Sequence, residues 1–342
     1  MTFVSVLHRA ASRENLTVDE AREAMGLVLS GQATAAQIAA FLVALRMKGE
    51  TVDELLGFAQ AMRERCVPVP VETTGEALLD TCGTGGDGLS TFNISTVAAL
   101  VVAGAGVRVA KHGNRSISSH CGSADILESL GVNINLTVER MARSVDEVGF
   151  GFLYAPAIHP AMKHAQPARL EIKMRTAFNY LGPLTNPAGA TAQLAGVPSV
   201  RAAELVAETL ARLGLARGFV VHGLDGLDEI TTTAETLVLE IRRGAIAQHT
   251  LSVKDFGLKP ALLEDLKGAD LRENTQIAID ILHGAKGPKR DIVLANASAA
   301  LVAADKASDF RHGVDLAALS IDSGAALAKL EALAAFTQRK LD

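Results

Sequence analysis

Residues 80–96 read Asp-Thr-Cys-Gly-Thr-Gly-Gly-Asp-Gly-Leu-Ser-Thr-Phe-Asn-Ile-Ser-Thr, a stretch suited to holding an anion. Gly83, Gly85, Gly86 and Gly88 let a ligand approach the main chain with no Cβ in the way. The apolar run at 77–79 reads as a strand, and the apolar run at 97–103 reads as a buried helix. Strand, glycine loop and helix start together turn backbone N–H groups and a positive helix end toward a phosphate. Thr91, Asn93, Ser95 and Thr96 add side-chain donors where capping residues are preferred. A second polar block, Lys111-His-Gly-Asn-Arg-Ser-Ile-Ser-Ser119, follows one helix and one strand later. Two such loops at successive strand ends point to a ligand with more than one phosphate.

Gly83-x-Gly85-x-x-Gly88 also fits a dinucleotide fingerprint, but that motif requires an acidic residue at the end of the next strand. Here the run at 107–110 leads into Lys111 and His112, which suit a phosphate rather than a ribose diol. Asp87 would repel a bare pyrophosphate unless a metal or a sugar hydroxyl faced it. No Gly-x-x-x-x-Gly-Lys-Ser/Thr motif is present, which disfavours an NTPase loop. A solvent-exposed turn fits the glycines but leaves the dense polar donors between two apolar elements without a role.

These loops need a framework, and 342 residues allow about two domains with real cores. Apolar residues make up 49%, Trp is absent and Tyr occurs twice, a poor supply for a base-stacking surface. With a net charge of −5, neither a nucleic acid nor an anionic membrane is an expected partner. Cys66, Cys82 and Cys121 form neither a C-x-x-C pair nor a disulfide framework. No uncharged apolar run reaches transmembrane length, and no signal-peptide pattern opens the chain. The expected location is cytoplasmic.

Residues 1–66 are expected to be helical. Thr17 with Glu20, Thr34 with Gln37 and Thr51 with Glu54 each fit a capping box. Val52, Leu55, Ala59, Met62 and Cys66 share one helix face. Such short helices cannot bury their faces alone, so packing together and against a partner subunit is expected. The prolines of 67–71 mark a linker, taken as 67–75. Beyond it, strands at 77–79, 107–110, 150–154 and 218–221 alternate with helices at 122–130, 160–180 and 201–213. A hairpin is expected over 236–253, and helices at 277–282, 292–303 and 316–336 close the chain. The pattern predicts an α/β fold: a small all-helical domain plus a larger domain, 76–342, with a mostly parallel sheet flanked by helices. Ligands in such sheets collect at the carboxyl ends of strands.

With these motifs in order, the whole chain resembles the anthranilate phosphoribosyltransferase family. The carriers are 80–87, Asn-Ile-Ser-Thr at 93–96, Lys-His-Gly-Asn-Arg-x-x-Ser-Ser at 111–119 with Cys-Gly-Ser-Ala-Asp at 121–125, Arg169 with the run 175–187, and His222-Gly-x-Asp-Gly-x-Asp-Glu229. Asn114 sides with this family rather than with the pyrimidine nucleoside phosphorylases, which carry glycine in the equivalent block. One departure is Lys173, where the family commonly has glycine.

The resemblance implies a nucleoside phosphorylase-like fold, with part of 165–190 joining the helical domain. It also implies Mg2+-dependent transfer of phosphoribose from 5-phosphoribosyl 1-pyrophosphate to the amine of anthranilate, in tryptophan biosynthesis. Phosphoribosyl pyrophosphate would meet Gly83, Gly86, Asp87, Thr91, Asn93, Ile94, Ser95 and Thr96 on the first loop. On the second it would meet Lys111, His112, Gly113, Asn114, Arg115, Ser116, Ile117, Ser118, Ser119 and Ser123, with Lys111 acting as a mobile point charge. Anthranilate would lie against Gly83, His112, Asn114 and Arg169, whose guanidinium suits a carboxylate. Ser95, Asp228 and Glu229 would hold Mg2+. No residue stands out as a general base; His112 is the candidate for accepting the amine proton late in the reaction. The resemblance further implies a homodimer through the helical domain.

Overall fold

The computed structural model describes residues 2–72, 75–115 and 121–339. It opens with four helices, α1 (Phe3–Ala11), α2 (Val18–Leu29), α3 (Ala35–Lys48) and α4 (Val52–Arg65). All three capping boxes form: Thr17, Thr34 and Thr51 each accept from the backbone N–H three residues on, and Glu20, Gln37 and Glu54 each reciprocate. Glu54 is fully buried and also accepts from Leu16 N at 3.0 Å and Lys48 Nζ at 3.0 Å, so its charge is matched. At Gly57 an added Cβ would overlap the Val18 carbonyl, which is how closely α2 and α4 approach.

The rest of the chain alternates strand and helix. In order come β1 (Leu78–Asp80), α5 (Ile94–Gly104), β2 (Arg108–Gly113), α6 (Ser123–Ser129), α7 (Val138–Val148) and β3 (Phe150–Tyr154). Then follow α8 (Ala155–Ile158), α9 (Gln166–Ile172), α10 (Phe178–Leu181), β4 (Ala192–Gly196), α11 (Val200–Arg212) and β5 (Arg217–Gly223). A hairpin of β6 (Thr236–Arg242) and β7 (Ala245–Leu251) precedes α12 (Leu271–Leu282), α13 (Pro288–Ala303), α14 (Phe310–Asp322) and α15 (Ala325–Gln338).

One seven-stranded sheet runs β3-β2-β1-β4-β5-β6-β7. The first five strands are parallel and the hairpin adds two antiparallel strands at one edge. Side chains alternate across it. Leu79, Val109, Leu194, Phe219 and Val221 share a core cluster with residues of α5, α13 and α15. Ala195, Val220, Leu237 and Leu239 belong to a second cluster with α11, residues 165–184 and α1–α4. Chain order leaves β1 in both directions, to β2 on one side and β4 on the other. The carboxyl end of β1 is therefore the switch point where an open α/β sheet leaves a crevice.

Several expectations need correction. The sequence does not announce β4, because Ala-Gln-Leu-Ala-Gly carries no β-branched or aromatic signal; all five residues are buried, and only the sheet makes them a strand. The helix expected over 160–180 is instead a 3-10 turn (Pro160–His164), α9 and α10, broken by the left-handed Lys173 at φ +46°. The helix expected over 316–336 is α14 and α15, parted at Gly324 with φ +78°. Leu55 is fully buried inside the subunit, among residues of α1–α4, α10 and α11. The face on which it lies is therefore covered within one chain, and the extent of that face is no argument for a partner.

Candidate functional site

The site begins at Asp80, where β1 ends. Its buried carboxylate accepts Cys82 N at 3.0 Å and His112 N at 3.1 Å through Oδ1, and Asn186 Nδ2 at 2.8 Å through Oδ2. One side chain thus fastens the glycine loop, the end of β2 and the 183–187 turn to each other. Burial pushes its pKa up; the charge and contacts of His112, Asn186 and Lys111 oppose the shift.

Glycines bring three backbones into contact beside it. A Cβ on Gly83 would overlap the Gly196 carbonyl, and one on Gly196 would overlap the Asp228 carbonyl. Thr84 N donates to Gly196 O at 2.9 Å, closing the loop onto β4. The sheet therefore delivers Asp228 and Glu229 to the glycine loop through Gly196, a residue the sequence reading passes over with its strand.

Lys111, Ser95 and Glu229 converge below this loop. Lys111 is buried, and its Nζ donates to Thr81 O at 3.1 Å, Thr81 Oγ1 at 2.9 Å and Ser95 Oγ at 3.3 Å. Its three donors are all engaged, so it is a fixed charge and not the mobile one expected. Burial lowers its pKa, against the pull of Cys82, Asp80 and Glu229. Burial raises Glu229 to about 8; Lys111 opposes this, Asp87 adds to it, and the Ser95 backbone amide opposes it. Burial likewise lifts Asp228 well above the usual carboxylate range, aided by the charges of Asp87 and Glu229. Asp87 Oδ1 accepts Leu89 N at 3.1 Å, while its buried Oδ2 has no partner among the described residues.

Such acids favour a cation. Carboxylates held close to one another repel, and a divalent ion between them relieves that repulsion. Among the described residues no three His, Cys, Asp or Glu side chains converge to hold a metal by themselves. The set fits Mg2+, which is content with one or two carboxylates plus phosphate oxygens and water.

At the start of α5, Asn93 Oδ1 and Thr96 Oγ1 are buried without partners among the described residues, and Asn93 Nδ2 donates to the Cys121 carbonyl at 3.0 Å. Ile94 is a core residue, and Thr91 forms a single bridge to Lys267. A Cβ on Gly113 would overlap Ser123 Oγ and the Phe152 ring. Ser123 Oγ donates to the Asn114 carbonyl at 3.4 Å. Asn114 and Arg115 are exposed, and Arg115 pairs with Asp125 and Glu128, both at 2.9 Å. Ser116, Ile117, Ser118 and Ser119 lie outside the described residues.

On the other side stands His112. Its Nδ1 lies 3.0 Å from the Gly182 carbonyl, which only accepts, so Nδ1 carries the proton and Nε2 the lone pair. That Nε2 is buried without a partner among the described residues. Burial lowers its pKa, so the ring is neutral. The His159 ring stands 5.2 Å away, its own Nε2 also buried and without a partner among the described residues, and burial takes its pKa down to about 3. Nothing in the local sequence marks His159, because no spacing reveals its approach to a histidine 47 positions earlier.

Arg169 lies half-buried with its guanidinium 5.1 Å from the Phe178 ring centre, and it has no acidic partner among the described residues. Burial lowers its pKa. Phe178 opens α10 and Gly182 follows it, so one short helix touches Arg169 at its start and His112 just past its end.

A helical bundle ahead of a parallel sheet, with acids and a glycine loop at the sheet's switch point, defines a class. Residues 4–66 match the helical bundle domain of the glycosyl transferase family, and residues 75–327 match its a/b domain. An anthranilate phosphoribosyltransferase from Solibacter usitatus is 61% identical over 98% of this chain and 99% of its own. The crystal structure of anthranilate phosphoribosyltransferase (TrpD) from Thermus thermophilus superposes with a TM-score of 0.92 at 45% identity, over 98% of this chain and 99% of that one. The Saccharomyces cerevisiae enzyme in complex with PRPP and Mg gives 0.90 at 28% identity, over 98% and 97%. The chain belongs to the anthranilate phosphoribosyltransferase family.

Proposed function

We propose that the two sides of this crevice divide one phosphoribosyl transfer between them. The reaction takes 5-phosphoribosyl 1-pyrophosphate and anthranilate to N-(5-phosphoribosyl)anthranilate and pyrophosphate, the step that the family performs in tryptophan biosynthesis. The observation that carries the residue assignment is the approach of the Asp228–Glu229 segment to the glycine loop through Gly196, beside Asp87 and the start of α5.

The amine of anthranilate is a weak nucleophile because its lone pair is delocalised into the ring. Leaving-group departure is then the harder half of the reaction, and catalysis rests on positioning and on stabilising negative charge. Asp228, Glu229 and Ser95 hold Mg2+, with Asp87 close by. Bound there, Mg2+ neutralises pyrophosphate charge as the C1–O bond breaks. The glycine loop and the unpaired groups of Asn93 and Thr96 at the start of α5 take pyrophosphate and ribose oxygens, and Lys111 fixes Thr81 and Ser95 beneath them. Arg169 receives the anthranilate carboxylate, with Gly83 and Asn114 along the same wall. His112 Nε2 accepts the amine proton once the new C–N bond has made that proton acidic, when a weak neutral base suffices.

The helical unit is 1–66 and 67–75 is the hinge, with 165–184 packed onto the bundle and the remainder of 76–342 forming the α/β unit. The shared apolar cluster supports placing 165–184 there. Two copies associate through the bundle, where Val4 and Met47 are exposed. A cytoplasmic location accords with three cysteines that form no disulfide. No helix among the described residues is long and apolar enough to cross a membrane.

The test is a fluorescence assay for the phosphoribosyl product with phosphoribosyl pyrophosphate, anthranilate and Mg2+. Turnover that collapses on chelation and returns with Mg2+ is expected. Phosphorolysis of thymidine or uridine in its place would overturn the reading.

A further inference from the structure

The cations around the glycine loop are not equally available to a ligand. Lys111 spends every donor on Thr81 and Ser95, and Arg115 is paired with Asp125 and Glu128. Arg175 differs. It comes from the turn between α9 and α10, reaches across to the loop and donates from Nη1 to the Gly85 carbonyl at 2.8 Å. Its guanidinium fills the space directly over Gly86, where φ is +93° and an added Cβ would overlap Nη1. Nη2 is buried and has no hydrogen-bond partner among the described residues. Burial lowers the Arg175 pKa, and the charges of Tyr180, Asp228 and Asp87 act against that.

A buried donor without a partner is costly, and so is the buried unpartnered Asp87 Oδ2 nearby. The two unsatisfied atoms have opposite character. An anion with an accompanying cation satisfies both: oxygens for the guanidinium, the metal for the carboxylate. Guanidinium is also the cation that binds phosphate oxygens through a planar fork, and here one arm of the fork is already anchored.

We propose that Arg175 binds the pyrophosphate leaving group, its Nη2 donating to a pyrophosphate oxygen while Nη1 holds the Gly85 carbonyl. This inference rests on the phosphoribosyl-transfer reading above. Arg175 lies six residues after Arg169 on the same segment, so acceptor recognition and leaving-group recognition share one mechanical element.

The experiment titrates inorganic pyrophosphate with Mg2+ into the full chain and into Arg175→Ala, Arg175→Gln and Arg175→Lys by calorimetry, alongside steady-state kinetics. Loss of a charge-assisted contact should weaken pyrophosphate binding by roughly 10- to 100-fold in the Ala and Gln variants. Lysine should restore part of that. Anthranilate KM at saturating phosphoribosyl pyrophosphate should stay within about twofold, and circular dichroism should be unchanged. If Ala should unfold, the near-isosteric Gln carries the comparison. Folded variants that bind pyrophosphate like the parent overturn the proposal, as does an equal rise in anthranilate KM, which would mark Arg175 as a loop support only. A parent chain without any turnover would instead sink the transfer reading.

Discussion

Asn186 Nδ2 lies 2.8 Å from Asp80 Oδ2 and 2.9 Å from the Ala110 carbonyl, so one buried amide ties the end of β1 to β2. Asn186→Leu leaves an acidic oxygen and a carbonyl buried without that donor. The expected loss is about 1–3 kcal/mol of unfolding free energy, read by urea denaturation, with phosphoribosyl pyrophosphate binding weakened because Asp80 also anchors the glycine loop. A variant as stable as the parent would mean that water replaces the amide.

Neutralising Asp228 and Glu229 together, as Asp228→Asn with Glu229→Gln, should separate stability from function. Burial raises both native pKa values, so their contribution to stability is whole below the ordinary carboxylate range. For Glu229 it is lost as pH rises from about 4.5 through about 8. At pH 8 without Mg2+, calorimetry should find the double variant at least as stable as the parent. With Mg2+ and pyrophosphate only the parent should gain in melting temperature, and turnover of the variant should demand far more Mg2+. Equal ligand-induced gains would leave these carboxyls without a metal.

Arg169→Ala removes a half-buried cation with no acidic partner among the described residues. A charge-assisted contact contributes about 1.5–3 kcal/mol, so anthranilate KM should rise roughly 10- to 150-fold. Phosphoribosyl pyrophosphate KM should change little. Kinetics in which both constants rise alike would place Arg169 in the framework of the cleft.

Lys173 holds a left-handed φ of +46° at the end of α9, a conformation that costs a lysine more than a glycine. Lys173→Gly should stabilise the chain by about 0.5–1 kcal/mol, after the greater chain entropy of glycine is subtracted. Chemical denaturation checks the sign, and a destabilised variant would show that the lysine side chain makes up for its backbone.

His159 supplies the pH dependence. Its native pKa of about 3 lies below the ordinary 6.5, so the unfolded chain takes up a proton first. Its contribution is complete above pH 6.5 and falls away as pH drops toward 3. Between pH 7.5 and 5.5 it should remove about 1.4 kcal/mol from the parent. His159→Gln should lose correspondingly less over that interval. An unchanged slope would mean that the ring is protonated in the folded state.

The sequence by itself determined what short range decides. Glycine spacing and capping boxes act within a few residues, so the glycine loop, the three boxed helix starts and the hairpin were legible, and the ordered motifs marked the family. Tertiary structure decided what distant segments do to one another. Only the sheet makes Ala192–Gly196 a strand, because burial between neighbours replaces the propensity those residues lack. Only that strand sets Gly196 against Asp228, and only the closed fold brings His112 to His159 and stretches Arg175 over Gly86. The burial of Leu55 likewise belongs to a cluster that reaches from the first helices to α11, some 150 residues away. Each of these is a contact between residues far apart in the chain, and periodicity holds no record of what will face a surface once the chain has closed upon itself.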